Sequence, residues 1–226
     1  MRNGRRSWAL AVMLLSAPTD AWTQEIDVLA GQRTRAELVV FLGQAELRCV
    51  ASSPGLELCE WPLGSRDPAW ETLARSIDTG SRLNVLCELP ADGSARAPGS
   101  CSLHPRRSDA HPWRLPNLVP TKYSGKTRAD LRADRERLVR RAEATLAQAR
   151  TLLEISRLLG AAPDQCVAAQ PGVRTCLWRA TSRTQGHGML AASIEAPQRK
   201  KLRLECLLPS DGTPREPGSC KVTIGI

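Results

Sequence analysis

The pattern of apolar and polar positions predicts two copies of one order of elements, a helix followed by strands. Thr34-x-x-Glu37 is typical of a helix N-terminus, apolar residues follow it, and Gly43 stands where a helix commonly ends. Farther along, apolar residues at helical spacing in 152–159 precede Gly160. The pattern therefore predicts an amphipathic helix before the Leu-Gly pair in each half of the chain.

After each helix the apolar period changes toward two, which is typical of strands buried on one face. The alternation before Cys87 and before Cys206 predicts one strand in each half, and 220–224 predicts a last strand. We also expect strands at 73–78 and 189–195. Each half is then a helix followed by an antiparallel meander of about four strands, an α+β fold with the helix covering one sheet face.

The two halves are related by an internal repeat. Residues 42–61 match 159–178 at an offset of 117, with ten of twenty positions identical. The segment 87–101 recurs at 206–220, where the offset is 119. Two residues are thus inserted between the matching segments, where a turn can absorb them. The repeat predicts two tandem modules.

All eight cysteines match between the copies, and each module carries C-x9-C, a spacer and then C-x13-C. In an exported protein such a pattern indicates disulfides within each module. Three pairings are possible per module, and we favour neighbours because each pair closes a loop that contains turn residues. In the chain-entropy model each bridge contributes about 2–3 kcal/mol. The favoured pairs are Cys49–Cys59, Cys87–Cys101, Cys166–Cys176 and Cys206–Cys220.

The N-terminus has the layout of a secretory signal peptide. Three arginines precede an apolar stretch at 8–17, and small or polar residues then lead to a plausible cut after Ala21. No apolar run in the 226 residues approaches the roughly 18 that a spanning helix needs. We therefore expect a signal peptide at 1–21 and a mature chain without a transmembrane segment, located in the periplasm or outside the cell.

The order of helix, Leu-Gly, cysteine, short turn, second cysteine and strand meander resembles a known module. Leu42-Gly43 and Leu159-Gly160 begin it in the two halves. It resembles the tandem modules of secreted β-lactamase-inhibitory proteins, and it is similar to small outer-membrane-assembly lipoproteins of that module shape. The resemblance implies the topology and no functional residue. This chain differs in having two cysteine pairs per module and a long segment between modules.

That segment, 105–126, contains four prolines and is predicted to be an extended, stiff linker between module 1 (22–104) and module 2 (127–226). Trp113 and Tyr123 lie in or near it, and they either pack the linker against a module or form an exposed anchor for a partner. Thr127 is expected to begin a long basic helix. This helix either runs unbroken to Leu159 or breaks near Thr145.

The charge along the mature chain is uneven. Residues 23–104 carry a net charge of −4, 105–150 carry +7 and 151–226 carry +4. The densest positive cluster lies in the predicted helix and consists of Arg132, Arg135, Arg137, Arg140 and Arg141. This cluster is either a solvated helix face or a docking surface for an anionic envelope polymer or an acidic protein. Nucleic acid is not expected, because the chain is exported and shows no stacking platform of aromatic residues.

The sequence contains none of the common hydrolase, metalloprotease, phosphate-loop or dinucleotide motifs. With only three histidines and no closely spaced cysteine pair, we expect neither a metal site nor a cofactor. His187 is expected in a turn or bulge before a strand. Arg96 and Arg215 recur and are predicted to bond a carbonyl or a nearby aspartate, while Trp61 and Trp178 are predicted to be core residues.

These features favour an exported, non-catalytic protein that binds another envelope or extracellular protein, as an inhibitor or an envelope accessory factor. The binding surface would be a sheet face or the cleft between modules. One alternative is a binder of anionic envelope polymer through the basic helix. A second alternative is an uncharacterised hydrolase that uses His187.

The export hypothesis predicts the covalent state of the native protein. Mass spectrometry of the product from its host is expected to show a chain that begins at Trp22. Non-reducing peptide mapping is expected to show no free thiol and no bridge between the modules. Retention of 1–21 in a cytosolic form, or free thiols in the native product, would contradict the hypothesis.

Overall fold

The computed structural model describes residues 27–76, 82–105, 125–197 and 199–225. They form two antiparallel four-stranded sheets, and in each sheet the strands are neighbours in chain order. The predicted α+β fold of two tandem disulfide-stapled modules is confirmed. Within these ranges, no helix has the length and apolar content needed to cross a membrane.

The elements follow the same order in both modules. In module 1 they are α1 (Asp27–Ala30), α2 (Arg35–Leu42), β1 (Arg48–Ser53), β2 (Leu56–Gly64), α3 (Trp70–Ser76), β3 (Arg82–Pro90) and β4 (Cys101–Pro105). In module 2 they are α4 (Arg128–Gln148), α5 (Leu152–Leu159), β5 (Gln165–Gln170), β6 (Val173–Ala180), α6 (His187–Ser193), β7 (Leu202–Pro209) and β8 (Cys220–Ile224).

Helix α2 begins and ends as the sequence predicts, and α5 ends at the predicted glycine. The Thr34 side chain accepts a hydrogen bond from the Glu37 backbone amide, and the Glu37 carboxylate accepts one from the Thr34 amide. Gly43 ends α2 in the left-handed region, with φ of 73°. The same capping box and glycine stop frame α5. These local signals fix where the repeated helix starts and stops.

The predicted strands at 73–78 and 189–195 are wrong, because the structure forms helices α3 and α6 there. Residues 187–192 of α6 are all buried. A short apolar run that is buried all round carries no periodicity that separates a strand from a helix. The alanines and leucine of this run favour a helix. Residues 77 and 78 lie outside the described residues.

The helix predicted from Thr127 does not run unbroken to Leu159; it breaks a few residues after Thr145, as the second alternative expects. It ends at Gln148, and α5 starts after Thr151. Thr151 caps α5 through a capping box with Glu154, and Ala149 adopts an extended conformation. The cap therefore divides one apolar stripe into two helices.

The disulfides are the four neighbour pairs that the spacing favours. In module 1 the register places Cys49 opposite Cys59, Cys59 opposite Cys87, and Cys87 opposite Cys101. The four cysteines thus form one row across the sheet, and module 2 repeats this row. Each bridge ties an outer strand to an inner one and leaves the central pair to backbone hydrogen bonds.

A buried arginine joins the helices of each module to its last loop. Arg215 is 1% exposed and donates to the carbonyls of Leu146, Ala149 and Glu216, at 2.8, 3.2 and 3.1 Å. Arg96 makes the equivalent contacts in module 1, including one to the Leu29 carbonyl. A guanidinium is suited to this place because it has five donors and its positive charge lies at a helix C-terminus.

This arrangement predicts a large loss of stability on removing the guanidinium. Arg215→Met fills similar space but leaves several buried carbonyls without a donor, so we expect a loss of about 3 kcal/mol in the free energy of unfolding. Urea denaturation measures it. Arg203→Met, at an exposed position of the same module, is the control and is expected to change stability by less than about 0.5 kcal/mol. Equal effects of the two changes would contradict the assigned role.

Candidate functional site

The sheet of module 1 is covered on both of its faces. Its inner face packs on α2 and α3 and includes Trp61, which is fully buried as predicted. Its outer face carries Leu58 and Leu86, which belong to the hydrophobic core of module 2. Because both faces are largely covered, this sheet is an internal layer of the molecule.

A network of polar side chains fixes the contact between the modules. Glu60 is fully buried on the outer face of the first sheet, where it accepts hydrogen bonds from Asn84 Nδ2 at 2.9 Å and from the Ala162 amide at 3.2 Å. Arg48 Nε lies 3.0 Å from Glu60, and Arg48 Nη1 lies 2.8 Å from Asp164 of module 2. A buried carboxylate is tolerated only with such partners.

Two further contacts close the space between the modules. Asn84 also donates to the Gly160 carbonyl at 2.7 Å, where a Cβ on Gly160 would lie only 2.5 Å from Gln185 Oε1. Arg174 of β6 donates to the carbonyls of Ala51 and Ser52, and its burial lowers the pKa of its guanidinium. The cleft between the modules, which was one of the predicted binding surfaces, is therefore filled by side chains of the two modules.

Beside this contact lies a group that resembles a catalytic arrangement. Ser102 Oγ lies 2.9 Å from His104 Nε2, and His104 Nδ1 lies 2.9 Å from Gln185 Oε1 in module 2. A serine next to a histidine that a third group orients is the geometry of an activated nucleophile. Ser102 and His104 are each only 1% exposed. A substrate has no access to them in this conformation, and their contacts serve the packing of the modules.

His187 is also a packing residue rather than part of an open site. It is the first residue of α6, not a turn or bulge before a strand, and it is fully buried. Its Nε2 donates to the Lys200 carbonyl at 2.7 Å. Among the described residues, Cys49, Glu57 and Cys59 have possible ligand atoms close enough together to hold a metal ion. Their two sulfurs form a disulfide, so they are not available as thiolate ligands.

The arginines of α4 are partly neutralised by neighbouring carboxylates. Arg135 pairs with Glu195 at 2.6 Å, Arg137 pairs with Asp134, and Arg140 lies 3.8 Å from Glu136. Arg132 and Arg141 are exposed. The arginines point in several directions around the helix, so they do not form one concentrated patch. Trp113 and Tyr123 lie outside the described residues.

The outer face of the second sheet is the open counterpart of the covered face in module 1. Strand β7 alternates: residues 202, 204, 206 and 208 are buried, and 203, 205 and 207 are exposed on this face. In β6 the outer residue Leu177 is itself buried, at 4% exposed. Val167 and Leu207 are 53% and 45% exposed on it. Arg203 and Glu205 stand beside them and pair with each other at 3.2 Å. This face combines exposed apolar side chains with a charged pair.

Sequence reasoning did not find Glu60, Asn84 or the pair Ser102 and His104. The sequence carried no clear signal for the covered sheet, since β2, β3 and β7 each mix apolar and polar residues in similar proportion. In the structure, residues of β2 and β3 are buried on both faces, whereas β7 alternates. The difference depends on the docking of the two modules.

Comparisons with protein-family models, with curated proteins and with solved structures return no match. The resemblance to β-lactamase-inhibitory proteins and to assembly lipoproteins therefore stays a prediction. The surfaces of the two modules can still be compared with each other through the internal repeat.

His104 predicts a pH dependence of stability. Burial lowers its pKa to about 4, from an ordinary value of 6.5. The unfolded chain therefore binds a proton more readily, and stability is lost as the pH falls from about 6.5 to about 4. The loss amounts to about 3 kcal/mol. It is measured by urea unfolding at about pH 7.5 and about pH 4.5.

The variant His104→Gln cannot titrate and is the comparison for this prediction. Carboxylates contribute their own pH dependence to both proteins, so the difference between the two profiles isolates the histidine. The variant is expected to lose clearly less stability than the wild type over this interval. Parallel profiles would show that His104 does not contribute.

Proposed function

We propose that this chain is an exported, non-catalytic protein that acts by binding another envelope or extracellular protein, as an inhibitor or an accessory factor. The four disulfides support export, because such bridges persist in oxidising compartments. A signal peptide at 1–21 is part of the proposal. The outer face of the second sheet is its binding surface.

The observation that carries this proposal is that the outer sheet face of module 1, the equivalent of the open face in module 2, already binds a folded unit. There, Val50, Leu58 and Leu86 pack against the core of the neighbouring module. The same fold therefore uses this face once already for a specific contact between folded units. In module 2 the equivalent face is open and carries Val167 and Leu207. Apolar side chains ringed by polar ones are typical of protein interfaces.

The buried polar groups support a role without catalysis. Arg96 and Arg215 bond backbone carbonyls, Glu60 joins the modules, and His104 packs between them. Each is occupied by a structural contact. His187, the basis of the hydrolase alternative, is buried against a backbone carbonyl and gives that alternative no support.

The alternative of an anionic polymer partner has one favouring observation. Arg132, Arg140 and Arg141 are exposed on α4, and residues 105–150 carry a net charge of +7. Binding of this kind would be lost at high salt, because exposed charges are screened. Binding through an apolar sheet face would be retained.

A capture experiment with the mature, disulfide-intact protein separates the two functions. Tagged protein is incubated with the envelope fraction of the native host at about 0.5 M salt. We expect wild type to retain a specific polypeptide. The double variant Val167→Glu and Leu207→Glu is expected to bind it at least about tenfold more weakly, because charges replace the central apolar contacts.

The matched control is the double variant Arg140→Glu and Arg141→Glu, which changes two exposed residues of α4 and leaves the sheet intact. It is expected to retain the polypeptide at the wild-type level. Absence of capture by wild type at this salt concentration, with capture at low salt that the α4 control loses and the sheet variant keeps, would overturn the proposal in favour of the polymer alternative.

A further inference from the structure

The contact between the modules joins two different surfaces. Module 1 contributes the outer face of its sheet, and module 2 contributes the end of α5, the loop that follows it, and Arg174 and Gln185 farther along the chain. A contact of this kind leaves each module with one unused surface. The unused surfaces are the outer sheet face of module 2 and the α2 side of module 1. They are the repeat counterparts of the two surfaces that bind each other inside the chain.

The strongly exposed apolar side chains fall on these two surfaces. In the described part of the chain there are five large ones, and four of them lie here. Val40 and Leu47, 82% and 56% exposed, lie on the α2 side, and Val167 and Leu207 lie on the sheet. The fifth, Ile224, is at the end of β8. Exposed apolar residues that cluster in this way commonly mark interaction sites.

The repeat predicts which of these residues would meet. The counterpart of Val40 is Arg157, which donates to the Gly99 carbonyl across the internal contact at 3.1 Å. Gly99 lies next to Ser100, whose carbonyl accepts from the amide of Glu88. The counterpart of Glu88 is Leu207. An equivalent contact between two chains would therefore place Val40 of one chain close to Leu207 of the other.

The ion-pair network of the internal contact has no equivalent on the unused surfaces. Inside the chain, Arg48 bridges Glu60 and Asp164. Their counterparts on the unused surfaces are Gln165, Leu177 and Leu47, respectively. Leucine thus replaces both carboxylates, and of the two leucines Leu47 is 56% exposed whereas Leu177 is only 4% exposed.

A groove on the α2 side would receive the sheet. It is lined by Gln32, Ala36, Glu37, Val40 and Phe41. The charges also fit, since residues 23–104 carry −4 and residues 151–226 carry +4. Opposite net charges at the two ends favour an approach in which module 1 of one chain meets module 2 of the next.

We propose that a second copy of this chain docks head to tail. The outer face of the second sheet in that copy packs on the α2 side of module 1 in the first copy. This contact repeats the internal one and is heterologous. It therefore continues into a ring or an open filament rather than closing a symmetric dimer. It uses the sheet face of the proposed function, so self-association and capture of another protein compete for that face.

The contact is weaker than the internal one. Arg203, Glu205 and Lys221 stand where the covered sheet has Asn84, Leu86 and Ser102, and their charges must lose water on docking. The Arg203–Glu205 pair offsets part of this cost. The internal contact also has the advantage of a covalent linker, which raises its effective concentration. Association is therefore expected at high protein concentration.

Sedimentation equilibrium of the purified, disulfide-intact protein tests the proposal. Wild type is expected to show a mass that rises with concentration beyond that of a dimer. Val40→Glu and Leu207→Glu are each expected to be monomeric over the same range. Both positions are exposed, so both variants are expected to unfold at the wild-type denaturant midpoint, which is measured alongside.

Mixing the two variants gives the decisive result. The Val40→Glu chain has an intact sheet face and the Leu207→Glu chain has an intact α2 side, so an equimolar mixture is expected to form a one-to-one dimer and nothing larger. A monomeric wild type at every concentration would overturn the proposal. So would a mixture that stays monomeric, because it would show that the two surfaces do not bind each other.

The Val40→Glu variant also separates this proposal from the proposed function. It keeps the sheet face, so its capture of the envelope polypeptide is expected to remain at or above the wild-type level. If it loses self-association and keeps capture, both proposals are supported. If wild type does not self-associate but capture still depends on Leu207, only the second-copy proposal is overturned.

Discussion

The contact of Glu60 with Arg48 and with the Ala162 amide decides how the two modules sit, and most other features of the surface follow from it. A fully buried carboxylate is costly without partners; of its contacts, Arg48 and Asn84 belong to its own module, and the Ala162 amide belongs to the next. The Ala162 hydrogen bond forms only when module 2 is docked with the loop after α5 against this face. That docking covers one sheet, leaves the other open and removes the cleft as a site.

The modules share the devices that hold each of them together and differ in the residues that face outward. The cysteine row and the buried arginines, Arg96 and Arg215, are the same in both. The third helices differ because α4 packs on α6 through contacts such as Arg135 with Glu195. Residues 187–192 of α6 are buried, whereas α3 has exposed Glu71 and Arg75 at equivalent places. Burial by a neighbouring helix thus accounts for the divergence.

The outer faces of the two sheets differ although the fold of the two modules is the same. In module 1 this face holds the chain's own second module, and polar groups such as Glu60 and Asn84 fix the orientation. In module 2 the equivalent positions are Leu177 and Arg203, which cannot form that network. The second face stays solvated, with Arg203 and Glu205 exposed and paired with each other.

The sequence determined the local and repeated features: the capped helices, the neighbour disulfides, and the strands that alternate or carry a cysteine. These features depend on contacts between residues that are close in the chain or are fixed by the repeat. Their patterns can therefore be recognised in the sequence itself. It did not determine that 70–76 and 187–193 are helices, because short buried apolar runs have no distinctive period. Only the tertiary structure decided that Glu60, His104 and Gly160 meet and which sheet face stays open, because these depend on how two separately folded surfaces fit together.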